Sequence, residues 1–319
     1  MPIDESLVPL LALINSPQVP KLGTGEPVQA RANFRGLTVD LRDPSTLPAV
    51  AAVEDVTIDG PGSTPLPGRI YRPEAGGPVP TIVFFHGGGF VLGDVETHDD
   101  HGRWLCREVG AVVVSVGYRL APESPFPGPV DDALVAVRWA AARISDLGGD
   151  PDRLAVAGDS AGGNLAAVVA QDCRDAGGPA LAAQLLLYPA TDFAGDYPSM
   201  AENADGYFLT ESDMIWFTTH YVPSGADPGD PRLSPLRGRL EGLPPAVVAT
   251  AGFDPLRDAG DAYASALGDA GVRTITHRFD GLIHGFFGLG PVSPASEEAV
   301  RTVCASLKQL LRPAGSADR

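Results

Sequence analysis

The chain has 319 residues, of which 44% are hydrophobic and 20% charged, enough for a sizeable core and too apolar for a disordered chain. Its formal charge of −17 repels phosphate backbones and anionic membrane surfaces, which argues against nucleic acid as a partner. Gly and Pro are abundant but follow no fixed period, so a collagen-like fibre is excluded.

The first 50 residues read as helix, loop, helix, punctuated by Pro17, Pro20, Gly23, Gly25 and Pro27. Leu7 to Ile14 is an apolar run, too short to span a membrane. Asp4 and Glu5 precede it where a signal peptide carries basic residues. It reads as an amphipathic surface or lid helix of a cytoplasmic protein. From Val53 onward short β-branched runs alternate with helical ones. VEDVTI (53–58) and GRIYR (68–72) flank a Pro/Gly-rich turn and predict an edge hairpin. TIVFF (81–85), AVVVSV (111–116), RLAVAG (153–158) and LLLY (185–188) are nearly unbroken apolar runs, as in parallel strands buried on both faces. AVVAT (246–250) and RTITHRF (273–279) complete a set of about eight, and helices are expected over 97–108, 127–144, 162–175, 256–269 and 296–311. The β-α-β order predicts an α/β fold with a mostly parallel sheet covered by helices on both faces. Residues 190–245 interrupt the alternation and hold a helix near 211–221. An interruption of that length is usually a functional insertion, and the N-terminal helices are its natural packing partner.

The three cysteines, Cys106, Cys173 and Cys304, are odd in number and far apart. They are expected to be buried or half-buried free thiols in a reducing compartment, neither a disulfide framework nor a zinc site.

Gly158-Asp159-Ser160-Ala161-Gly162 follows a predicted strand and opens a predicted helix. That is the context in which a G-x-S-x-G turn presents a nucleophilic serine above a sheet. The following helix N-terminus favours developing negative charge. His86-Gly87-Gly88-Gly89-Phe90 directly follows TIVFF; successive glycines let backbone N–H groups point into a cavity as oxyanion donors, and Ala161 supplies another. His86 itself reads as a structural residue of that loop. A base and its orienting acid should follow in the order Ser, Asp/Glu, His. Of the downstream histidines, His220 falls in the insertion's helix and His277 inside a strand. His284 lies in the loop past the last strand, at the sheet's carboxyl edge, and is the expected base. Asp254, just beyond the strand at 246–250, is the expected acid, with Asp258 as runner-up and Asp280 less well placed. His98 and His101 are expected on a solvated helix N-terminus capped by Thr97.

HGGGF (86–90), YRLAPE (118–123), GDSAGGNLA (158–166), LLLYPA (185–190), DPLRD (254–258) and IHGF (283–286) together resemble the hormone-sensitive lipase family, the bacterial family IV carboxylesterases of the α/β-hydrolase fold. The resemblance covers roughly residues 50 to 310. It implies a Ser160–His284–Asp254 triad, with Gly88, Gly89 and Ala161 as oxyanion-hole donors. It implies a catalytic domain over 51–194 and 226–319, and a cap made of 1–50 and 195–225. It also implies hydrolysis of short- to medium-chain carboxylic esters with no metal and no cofactor, and a homodimer. Many members read DPLRDEG, whereas Ala259 stands at the acidic position here, which removes any salt bridge from that site. The partners expected are small-molecule esters, with no nucleic acid and no membrane span. An amidase or biosynthetic deacetylase on the same triad is the alternative. A non-catalytic ligand receptor is a further one, disfavoured because such receptors lack the histidine that is present here as His284. Phe90, Tyr207, Phe208, Phe253, Phe286 and Phe287 are candidates for lining the pocket or for the core.

Overall fold

A computed structural model describes residues 2–75 and 77–313. Residue 1 and residues 314–319, the outer ends of the segments expected above, lie outside the described residues. Strands β1 (Ala52–Asp59), β2 (Pro65–Arg72), β3 (Val79–Phe85), β4 (Val112–Val116), β5 (Gly149–Asp159), β6 (Ala183–Leu187), β7 (Ala246–Phe253) and β8 (Thr274–Ile283) form one sheet in the order β1-β2-β4-β3-β5-β6-β7-β8. The β1–β2 hairpin is antiparallel and sits at one edge, and β2 is antiparallel to β4. Every pairing from β4 across to β8 is parallel.

The unbroken apolar runs are explained by two cores. Because strand side chains alternate faces, Val83 and Phe85 join one buried cluster while Ile82 and Phe84 join the other. Leu186 divides from Leu185 and Leu187 in the same way. Helices α4 (Gly128–Ala142), α5 (Ala161–Asp175) and α8 (Arg257–Asp269) supply the first cluster, through Val130, Leu165 and Tyr263 among others. Helices α3 (Asp99–Leu105) and α9 (Pro294–Leu310) supply the second, through Trp104, Val300 and Val303. No described helix is long and apolar enough to cross a membrane.

At the N-terminus lie α1 (Val8–Ile14) and α2 (Pro27–Arg35). The insertion holds the expected helix, α7 (Glu211–Tyr221), and a short one that periodicity could not resolve, α6 (Pro198–Glu202). These two parts are tied together. Asn15 Nδ2 donates to the Gly206 carbonyl at 2.9 Å, and Lys21 meets Asp205 at 3.2 Å. The Gly23 N–H donates to Asp213 Oδ1 at 2.7 Å, while Asp213 also closes a reciprocal cap with Thr210 at the start of α7. Helix α2 is latched to the sheet side by Arg31, which forks onto Glu123 and donates to the carbonyls of Val91 and Ala121 at 2.8 Å each.

Two expectations about α3 are corrected. His98 and His101 are buried, at 5% and 6% exposure, not solvated. Thr97 does not cap the helix: the cap position belongs to His98, and Thr97 Oγ1 instead closes the preceding turn by accepting the Asp94 N–H. The reason is packing, since the segment folds back beneath the glycine loop and His98 lies 5.3 Å, ring to ring, from His86.

Leu185 is fully buried in mid-sheet. Leu185→Ala should lower unfolding stability by about 2–5 kcal/mol, read from the urea midpoint, with the spectroscopic signature of the folded state retained.

Candidate active site

Strand β5 ends at Asp159 and helix α5 begins at Ala161, so the whole reversal falls on Ser160, held at φ 55° and ψ −115°. A non-glycine residue with positive φ stores strain of about 1–3 kcal/mol. The turn is held because its neighbours leave no alternative. A Cβ on Gly158 would lie 2.1 Å from the Gly162 carbonyl oxygen, and one on Gly162 would lie 1.9 Å from that of Phe85. The Ser160 N–H donates to the Leu187 carbonyl at 2.8 Å, and Asn164 Nδ2 clamps the carbonyls of Ala190 and Leu233 at 2.6 and 2.8 Å.

Strand β8 runs on to Ile283, four residues beyond its expected end, and delivers His284 directly from the sheet edge. Its Nε2 lies 2.9 Å from Ser160 Oγ and its Nδ1 lies 2.8 Å from Asp254 Oδ2. With Nδ1–H donated to that carboxylate, Nε2 is the nitrogen free to accept the serine proton. Asp254 is fully buried, and its second oxygen accepts the Leu256 N–H at 2.8 Å, which fixes its rotamer. The Tyr188 ring meets the His284 imidazole edge-on at 4.8 Å.

The other candidates are engaged elsewhere. Asp258 accepts the Ser199 N–H and pairs with Arg257, and Asp280 pairs with Arg278. His220 bonds the Trp216 carbonyl and His277 bonds Ser306. The three thiols are free and buried, and burial pushes Cys106 up to about 12 and Cys173 up to about 11, which makes them poor nucleophiles. Of the aromatic candidates, Phe286 and Phe287 are fully buried in the core, and Phe90 stacks on Tyr221 at 3.7 Å. Tyr207 packs on Phe253 at 4.9 Å, and Phe208 lies beside Gly285.

The glycine loop is braced from below. The Gly87 N–H donates to Asp159 Oδ1 at 2.8 Å, Tyr118 Oη–H donates to the His86 carbonyl at 2.7 Å, and His86 Nδ1 meets the Gly87 carbonyl at 2.8 Å. Gly88 and Gly89 take φ 109° and 62°, which a side chain would resist. Among the described residues no hydrogen bond engages the N–H of Gly88 or Gly89. The N–H of Ala161, first in α5, precedes the first intrahelical bond. These are the three N–H groups expected as oxyanion donors, and none of them is spent on a hydrogen bond among the described residues.

Asp159 was invisible as more than a motif letter, yet it gathers a buried charge cluster. Its Oδ2 lies 3.8 Å from His98 Nε2, and the ligand atoms of His98, His101 and Asp159 all fall within 4.8 Å of one another. Among the described residues these three are the group that could hold a metal ion. Tetrahedral zinc, with bonds of about 2.0–2.2 Å, needs donor atoms about 3.3–3.6 Å apart. Asp159 is also occupied by Gly87, so the group fits a proton-bearing network better than a cation site. Burial works against charge on His101, but the Asp100 carboxylate 2.8 Å away outweighs it and the net shift is upward. Burial lowers His98 well below the ordinary range and raises Asp159, and it pushes His86 down to about 4. The stacking of His86 on Tyr118 at 4.3 Å and the grouping of His98 and His101 with Asp159 are contacts that the sequence does not reveal. The available signal was an acidic residue at the buried end of a strand.

The match to known proteins agrees with this geometry. A family model described as alpha/beta hydrolase fold matches residues 82–288. The carboxylic ester hydrolase LipN of Mycobacterium tuberculosis is 45% identical over 288 residues, 88% of this chain and 76% of that protein. The ethyl acetate hydrolase of Pseudomonas putida is 37% identical over 266 residues, 81% of this chain and 83% of that protein. The solved structure of a hyperthermophilic esterase from Pyrobaculum calidifontis is 42% identical, with a TM-score of 0.92 over 97% of this chain and 99% of that one.

Two outcomes follow from the local geometry. Gly162→Ala should destabilise the fold by about 2 kcal/mol or more through its clash with the Phe85 carbonyl, read by thermal unfolding. His86 is neutral in the fold down to about pH 4, whereas the unfolded chain takes up its proton near pH 6.5. The unfolded state therefore binds more protons between those values, and stability falls as pH drops from about 6.5 to 4. Urea midpoints for His86→Gln across that window should fall less steeply than those of the wild type. By its matching family model and its relatives, the chain belongs to the α/β-hydrolase fold family, in the carboxylic ester hydrolase branch related to hormone-sensitive lipase.

Proposed function

We propose that this protein hydrolyses short- to medium-chain carboxylic esters through an acyl-enzyme formed on Ser160. The observation that carries this is the unbroken run from Asp254 Oδ2 to His284 Nδ1 at 2.8 Å and from His284 Nε2 to Ser160 Oγ at 2.9 Å. Ser160 Oγ attacks the ester carbonyl carbon while His284 Nε2 takes its proton. The carbonyl π pair moves onto oxygen, and that oxyanion is held by the N–H groups of Gly88, Gly89 and Ala161. Asp254 stabilises the resulting imidazolium without taking its proton. As the oxyanion collapses, the C–O bond to the alcohol breaks and His284 gives its proton to the leaving oxygen. A water then attacks the acyl-enzyme, again passing its proton to His284. A second collapse releases the carboxylic acid and restores Ser160.

The tie between the N-terminal helices and the insertion supports a two-part cap, residues 1–50 and 195–225, over a catalytic domain of 51–194 and 226–319. Three buried, unpaired thiols support a cytoplasmic location, and a homodimer follows from the family expectation. The relatives named as ester hydrolases support esters as the substrate class. The His284–Ser160 hydrogen bond argues against a non-catalytic receptor.

Ser160→Ala should lower kcat on nitrophenyl butyrate by about 10⁴-fold or more with the melting temperature within a few degrees of the wild type. Near-normal hydrolysis by the folded variant would remove Ser160 from the chemistry.

A further inference from the structure

Phe208 is out of place by ordinary backbone rules. It sits at φ 76°, a region that a bulky side chain rarely occupies and that is kept where surrounding structure demands it. It lies in the loop between α6 and α7, two residues after Gly206, which has φ 93° and open space around its α-carbon. The ring's placement has a consequence on each side. On one side its edge lies over Gly285, the residue following His284. A Cβ built there would meet Phe208 Cε1 at 3.2 Å and Cδ1 at 3.6 Å. On the other side the ring helps to line a small cavity of about 20 Å³ within the cap, walled by apolar Ile14, Val19, Leu22 and Leu37 and by polar Asn15 and Lys21. One strained aromatic residue thus stands between the residue that follows His284 and the N-terminal part of the cap.

The proposed reaction says which part of a substrate meets that partition. The leaving oxygen takes its proton from His284 Nε2, so it must come within about 2.6–3.2 Å of that atom. The alcohol moiety therefore extends on the histidine side. The carbonyl oxygen points to the opposite side, toward Gly88 and Gly89. There a different cap residue, Phe217 of α7, packs its ring across Gly89, so closely that a Cβ on Gly89 would fall 2.2 Å from it.

We propose that Phe208 is the specificity-determining residue for the leaving alcohol. Its ring ends the alcohol side of the site, so a long alkyl group on the leaving alcohol meets it. This rests on the serine esterase reading above, with His284 as the proton donor to the alkoxide. The loop that carries the ring is tied to the N-terminal segment by solvent-exposed contacts, Lys21 with Asp205 and Asn15 with the Gly206 carbonyl, and to α7 by the Glu211 N–H on the Ala204 carbonyl. The ring itself carries no polar group, so its position is set by its own packing and by the backbone at 206–208.

The experiment compares two ester series on the full-length protein, in the wild type, Phe208→Ala and Phe208→Gly. One series holds acetate constant and lengthens the alcohol from ethyl to octyl; the other holds nitrophenol constant and lengthens the acyl chain. Phe208→Gly guards against misfolding, since glycine adopts φ 76° without strain, and it should melt higher than Phe208→Ala. In both variants the kcat/KM ratio of octyl to ethyl acetate should rise about tenfold or more. The acyl ratio should stay within about twofold of the wild type. An unchanged alcohol ratio in folded Phe208→Gly overturns the proposal, and so does a shift of the acyl series in its place. Hydrolysis of ethyl acetate by the wild type, lost in Ser160→Ala, tests the underlying esterase reading separately, so the two failures are distinguishable.

Discussion

The steric closeness of three backbones at the carboxyl edge of the sheet governs the rest of the molecule. The end of β3, the end of β5 and the first turn of α5 converge so tightly that a methyl group on Gly162 would sit 1.9 Å from the Phe85 carbonyl oxygen. Only glycine satisfies that approach, and only with glycines on both sides can Ser160 hold a positive φ. The cost of that strained residue is offset by the sheet itself. Leu187 of β6 receives the Ser160 N–H, and the buried faces of β3 through β7 fix the strand ends to within the tolerance of a packed core. The same convergence brings the glycine loop after β3 alongside the serine. Serine and loop N–H groups are therefore adjacent because two parallel strands are adjacent.

A second consequence is electrostatic. Ending β5 with a carboxylate places Asp159 where water does not reach, at 5% exposure. A buried charge of that kind must be compensated. It is met by the Gly87 N–H and by nearby His101, which the turn after the glycine loop folds underneath. The compensation also serves the loop. Asp159 pins Gly87, Tyr118 pins the His86 carbonyl, and the N–H groups of the two following glycines, which no hydrogen bond among the described residues engages, are the oxyanion donors in the proposed reaction. Preorganised donors of this type need no rearrangement when negative charge appears.

The fold was readable from the chain because its signals are local and redundant. Val83 with Phe84, or Leu185 with Leu186, must both be apolar when each side of a strand is buried, so the strands appear as unbroken runs. Ser160, the glycine loop, Asp254 and His284 each carried a local signal at a strand end, and the folded chain brings the four together. What could not be read depends on contacts between distant segments. The cluster of His98, His101 and Asp159 joins residues some 60 positions apart, and nothing in H-D-D-H shows that the turn before it buries both rings. Helix α6, five residues long, is too short to display a period. Phe208 announces neither its backbone strain nor its position beside Gly285, because both belong to the packing of segments far apart in the chain.

The central claim is that His284, oriented by Asp254, activates Ser160 for attack. Intact-protein and peptide mass spectrometry after brief exposure to a dialkyl fluorophosphate tests it most directly, because the reagent reports nucleophilicity without presuming a substrate. The account predicts a single phosphoryl adduct on the peptide bearing Ser160 in the wild type, and labelling slowed by about 10³-fold or more in His284→Ala. Equal labelling rates in the two folded proteins, or an adduct on any other residue, would contradict it.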